Sequence, residues 1–103
     1  MTHMVQRRRI EVLVDAPLAR RVAAAAAAVG VTGYTILPTL AGSGERGAWS
    51  DDQISGAEAK VMFLTVTSEE KAGAVIEALA PLLESHGLIL MTSVVDVVRG
   101  GKF

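Results

Sequence analysis

The sequence predicts one α+β domain in the order strand–helix–strand–strand–helix–strand. Three observations carry this: four runs that read as β-strands, two stretches that read as helices, and a length of 103 residues, which suits one core. Half of the residues are hydrophobic and 20% are charged, a balance that builds a core and argues against disorder.

Arg9–Val14 reads Arg-Ile-Glu-Val-Leu-Val, with Ile10, Val12 and Val14 on one face of a strand. Asp15 and Pro17 then start a helix: a carboxylate can accept orphan amide protons, and proline in the first turn wastes no hydrogen bond. This helix is expected to reach Val29 and stop at Gly30. It holds Ala23–Ala28, six alanines in a row, a good helix former that permits close approach to a sheet. A second strand follows over Val31–Leu37, with Pro38 ending it or marking an edge. From Thr39 to Gly56 neither period is sustained. These 18 residues contain four glycines and read as a structureless connection, a kind of segment often functional.

Ala57–Thr67 is the third strand, with Val61, Phe63 and Thr65 facing one way and Met62, Leu64 and Val66 the other. Thr67 to Glu70 matches a capping box, with Thr67 as N-cap. The second helix presents Ala72, Val75, Ile76, Leu79, Leu82 and Leu83 on one side. Pro81 should kink its last turn, and Gly87 should cap its end. Leu88–Arg99 forms the last strand. In one domain this order is the ferredoxin-like arrangement, a four-stranded antiparallel sheet with two helices on one face. Two helices cover only one face, yet the third and last strands are apolar on both. Copies of the chain are therefore expected to pack on the helix-free face.

Lys plus Arg number 10 against 11 Asp plus Glu, a net charge of −1 without the basic footprint of a nucleic-acid binder. Cysteine is absent, which excludes disulfides, thiol nucleophiles and thiolate metal sites. The basic start at Met1–Arg9 lacks a following apolar region, and Leu88–Val98 is too short to span a bilayer. A cytoplasmic protein without membrane insertion is expected, with residues 1–6 a disordered tail or a remnant foreign to the native chain. His3 and His86 form no metal cluster, and His86 suits a helix C-terminus. Ser43 and Ser50 have no nucleophile elbow, and Asp51–Asp52 reads as solvated loop charge, so neither catalysis nor a bound metal is expected. Gly42-Ser43-Gly44-Glu45-Arg46-Gly47 is more suggestive: glycines let backbone amides approach an anion, and Arg46 adds a planar donor group. Arg99-Gly100-Gly101-Lys102 is a second cationic, glycine-flanked element.

Gly30-Val31-Thr32-Gly33-Tyr34-Thr35, the run from Gly42 to Gly47, and Arg99 to Lys102 together resemble the PII nitrogen-regulatory signalling proteins. The resemblance implies a single domain over residues 7–103, a homotrimer with clefts between subunits, adenine nucleotide in each cleft, and a mobile loop over residues 39–56 that signals to a regulated protein or transporter. It carries over Thr35, Gly42, Gly44, Arg46, Thr65, Gly87, Arg99 and Lys102 as nucleotide contacts. Ser85-His86-Gly87 stands where the family has a glycine-rich loop with a phosphate-binding lysine, so ADP or AMP is the expected ligand ahead of ATP. The loop also lacks the tyrosine that some members have uridylylated, and Tyr34, on the strand, is no substitute. These departures resemble the PII-like subgroup found with carboxysome and bicarbonate-transport genes, which implies a role in carbon metabolism and bicarbonate at Gly42, Ser43, Gly44 and Arg46. No cofactor is implied. The alternatives are a metal-responsive or structural trimer, or a small-ligand enzyme on the same fold.

Overall fold

β1 (Met4–Asp15) is the centre of the molecule, hydrogen-bonded along both edges. The computed structural model describes residues 3–45, 47–50 and 59–98. After β1 come a 3-10 turn (Ala16–Leu18), α1 (Ala19–Ala28), β2 (Thr35–Pro38), β3 (Ala41–Gly44), β4 (Gly47–Ser50), β5 (Lys60–Thr67), α2 (Glu69–His86) and β6 (Ile89–Val98). The main sheet is antiparallel in the order β2-β5-β1-β6, and β3 with β4 forms a separate hairpin. This is the ferredoxin-like α+β fold with a small second sheet.

The alternation in β1 works as expected: Ile10, Val12 and Val14 are buried under the helices. Phe63 of β5, Val22 of α1, and Val75 and Leu79 of α2 complete the core. Burying a side chain as large as Phe63 contributes about 1.5–3 kcal/mol. In α1, Ala19, Val22, Ala23 and Ala26 face inward at spacings of three and four. The rest of the alanine run points outward or partly outward and serves helix propensity. The helix end is a Schellman motif. Gly30, at φ 98°, donates its N–H to the Ala27 carbonyl, and Val31 donates to Ala26.

Several boundaries differ from expectation for local reasons. Residues 4–6 belong to β1, because Met4, Val5 and Gln6 pair with Val98, Val97 and Asp96 of β6. The N-cap of α2 is Ser68, whose Oγ accepts from the Lys71 amide at 3.2 Å. Thr67 is still the buried last residue of β5, so the predicted capping box does not form. Asp15 makes no capping bond; its carboxylate goes to Lys60 instead. α2 is continuous through Pro81, which lies on the exposed side of the helix. Gly87 caps the helix at φ 64°, ψ 36°, and Pro38 ends an edge strand, both as predicted. Of residues 39–56, expected to lack structure, 41–44 and 47–50 form the β3–β4 hairpin, and 46 and 51–56 lie outside the described residues.

One row of the helix-free face is apolar throughout. Leu37, Met62, Leu13 and Ile89 align across all four strands. Leu64 and Met91 flank Glu11 in the next row, and Glu11 Oε1 lies 3.2 Å from Arg9 Nε. Leu37 is 43% exposed, Ile89 50% and Met91 48%, so the single chain leaves much of this surface to water.

Candidate functional site

A concave site lies at the end of the sheet where β1 stops and β5 starts. Its volume is about 820 Å³, and Ser43, Gly44, Trp49, Lys60, Glu84 and Gly87 are among the lining residues. Three parts of the chain meet there: the β3–β4 hairpin, the Asp15–Lys60 end of the β1–β5 ladder, and the left-handed turn after α2.

A connected set of side chains holds the hairpin in place. Trp49 is buried in β4, and its Nε1 donates to Thr39 Oγ1 at 2.9 Å. Thr39 Oγ1 in turn donates to the Lys60 carbonyl at 2.6 Å. The indole lies against Gly42, its cross-strand partner; a Cβ there would meet Trp49 Cζ2 at 2.2 Å. Glycine is required at position 42 for this close approach. Lys60 Nζ sits 5.3 Å from the indole centroid and donates to Asp15 Oδ1 at 2.6 Å. Among the described residues Lys60 is the one cation lining the site, alongside Asp15, Glu45 and Glu84.

A second, smaller cavity of about 60 Å³ is lined by Gly30–Gly33, Val66, Thr67 and Lys71. Thr65, almost fully buried beside it, donates its hydroxyl to the Gly33 carbonyl at 2.5 Å and fixes that loop. Tyr34 stacks on Phe63 with centroids 5.2 Å apart. The two cavities sit at opposite ends of β5. Lys60 and Thr67 are seven residues apart on the strand, about 23 Å at the usual rise per residue.

The structure thus gathers Ser43, Gly44 and Gly87 around the larger site, with Gly42 behind them under Trp49. Thr65 belongs to the other end, and its hydroxyl is already engaged. Thr35 is exposed on the edge strand, paired with Leu64. Arg46, Arg99 and Lys102 lie outside the described residues. Sequence reasoning missed Lys60, Asp15 and Thr39 as parts of the site, and took Trp49 for a residue of a moving loop. The one available signal was Lys60 itself, a charge opening the apolar run Lys-Val-Met-Phe-Leu.

The family model for nitrogen regulatory protein P-II matches residues 7–102. Among solved structures, CPII of Thiomonas intermedia K12, a PII-like protein bound to ADP, AMP and bicarbonate, superposes with a TM-score of 0.90 at 24% identity, over 98% of this chain and 96% of that one. A PII-like signaling protein from Thermus thermophilus gives 0.82 at 27% identity, over 97% of each chain. The Bacillus subtilis GlnK–ATP complex gives 0.64 at 15% identity, over 87% of this chain and 82% of that one. No curated protein sequence matches.

Proposed function

The chain belongs to the nitrogen regulatory protein P-II family, whose members are non-catalytic signalling proteins, and from that membership we propose that it senses ADP or AMP in clefts between copies of itself. The observation that carries the reading is the meeting of Ser43 and Gly44 with Gly87 around one site beside Lys60. Backbone amides freed by small residues cradle phosphate oxygens, and a lysine adds charge. The distant Gly30–Gly33 cavity supports a cleft made by two copies, since one nucleotide cannot reach both ends of the same β5. The apolar row Leu37–Met62–Leu13–Ile89 supplies the contact surface, and a closed trimer is the assembly proposed.

Arg46, Arg99 and Lys102 are assigned as further phosphate contacts, with Thr35 and Thr65 near the base. The absence of a lysine in Ser85-His86-Gly87 favours ADP and AMP over ATP. CPII, bound to ADP, AMP and bicarbonate, supports bicarbonate as a second ligand at Gly42, Ser43, Gly44 and Arg46. The output is regulation of inorganic-carbon metabolism through residues 39–56, which pass occupancy to a protein or transporter. Among the described residues no helix is long and apolar enough to cross a membrane.

Isothermal titration with AMP, ADP and ATP, each with and without bicarbonate, on protein of measured mass, tests the reading. Binding heat is expected for ADP and AMP on a trimer. No heat from any nucleotide at sub-millimolar concentration overturns it.

A further inference from the structure

Lys60 joins two networks. Its carbonyl anchors Thr39, and through Thr39 the indole of Trp49; its ammonium lies over that indole and is clasped by Asp15. The one cation lining the site among the described residues is therefore already neutralised by a carboxylate of the same chain. The Lys60 and Asp15 side chains are 22% and 36% exposed, and ion pairs so open to water are weakly held and readily exchanged. Asp15 also has an alternative role within reach. It stands at the N-cap of the turn that leads into α1, where its side chain makes no capping bond, and aspartate is a favoured residue at such a position.

We propose that Asp15 is an internal competitor for the anionic group of the ligand at Lys60. An entering oxyanion, phosphate or bicarbonate, takes the ammonium; Asp15 turns to accept from the Leu18 N–H, since Ala16 N–H already donates to Ala59 and Pro17 has none; and Trp49 loses the cation that lay over its ring. The hairpin thereby registers occupancy through the side chain of the residue whose backbone carbonyl also anchors its base. This rests on the site assignment above and adds a residue that sets the strength of the anion's hold.

Trp49 is the single tryptophan, so collisional quenching reads the site directly. Iodide probes anion attraction to the Lys60 ammonium, and neutral acrylamide corrects for access. Both are titrated at constant ionic strength into the ligand-free protein, Asp15→Asn and Lys60→Met. The iodide-to-acrylamide quenching ratio is expected to rise at least twofold in Asp15→Asn and to fall below the parent in Lys60→Met. Calorimetry is expected to find ADP bound several-fold more tightly by Asp15→Asn. An unchanged ratio in Asp15→Asn with a native far-UV spectrum overturns the competition, whatever calorimetry shows. A raised ratio without ADP binding supports Asp15 as guard of an anion site and removes the nucleotide reading alone. Should Asp15→Asn fail to fold, Asp15→Ser opens the same ion pair and is read the same way.

Discussion

Adding one methyl group at Gly42 should unseat Trp49. In Gly42→Ala the new Cβ would meet Trp49 Cζ2 at 2.2 Å and Cη2 at 2.3 Å, whereas carbon atoms rest about 3.5–4.0 Å apart. The clash is with a rigid ring packed on a hairpin, so the ring must leave. A tryptophan buries about 150–250 Å². At about 25 cal/mol per Å², exposing half of it costs about 2–3 kcal/mol. The Trp49–Thr39 bond is worth about 1 kcal/mol more. A loss of about 3–4 kcal/mol shifts the docked-to-undocked ratio of the hairpin by a factor on the order of 10²–10³. The β3–β4 hairpin is separate from the main sheet, so the loss should stay local. The expected result is red-shifted emission and stronger acrylamide quenching at zero denaturant, with the far-UV melting curve close to the parent's. Emission and quenching identical to the parent would refute the close packing of the indole on Gly42. A parallel fall in the far-UV melt would refute the local character of the loss.

Other outcomes follow from the same contacts. Thr65→Val removes the donor to the Gly33 carbonyl and should cost about 1–3 kcal/mol, read as a lower urea midpoint at unchanged slope. Ile89→Glu puts a charge at the β6 end of the apolar row and should give a folded monomer by light scattering, with nucleotide binding lost along with the assembly. Arg99→Ala should weaken ADP binding in calorimetry while the trimer mass is retained; equal affinity would remove Arg99 from the site.

The main sheet and both helices were legible because their signals are periodic and local. Ile10, Val12 and Val14 alternate, Ala72, Val75 and Leu79 recur at helical spacing, and Gly87 and Pro38 punctuate where their backbone chemistry requires. The hairpin was not legible, since Ala-Gly-Ser-Gly and Gly-Ala-Trp-Ser have no alternation. It exists because one indole covers one glycine and bonds to Thr39, contacts that appear only in three dimensions. Met4, Val5 and Gln6 looked like part of a tail because no alternation marks them; what makes them strand is pairing with Val98, Val97 and Asp96 of β6. In the site, the glycines stood out in the sequence. Lys60 and Asp15 did not, because their meeting depends on the register of β1 against β5, 45 positions apart in the chain.

The two cavities at opposite ends of β5 have a genetic consequence. In a closed ring of the kind proposed, every copy furnishes one wall to each of two different ligands. A lesion near Lys60 and a lesion near Gly33 would then be recessive to each other. Mixed rings assembled from the two defective chains would restore an unblemished cleft wherever the sound ends abut, and complementation between two inactive alleles would follow without any recombination.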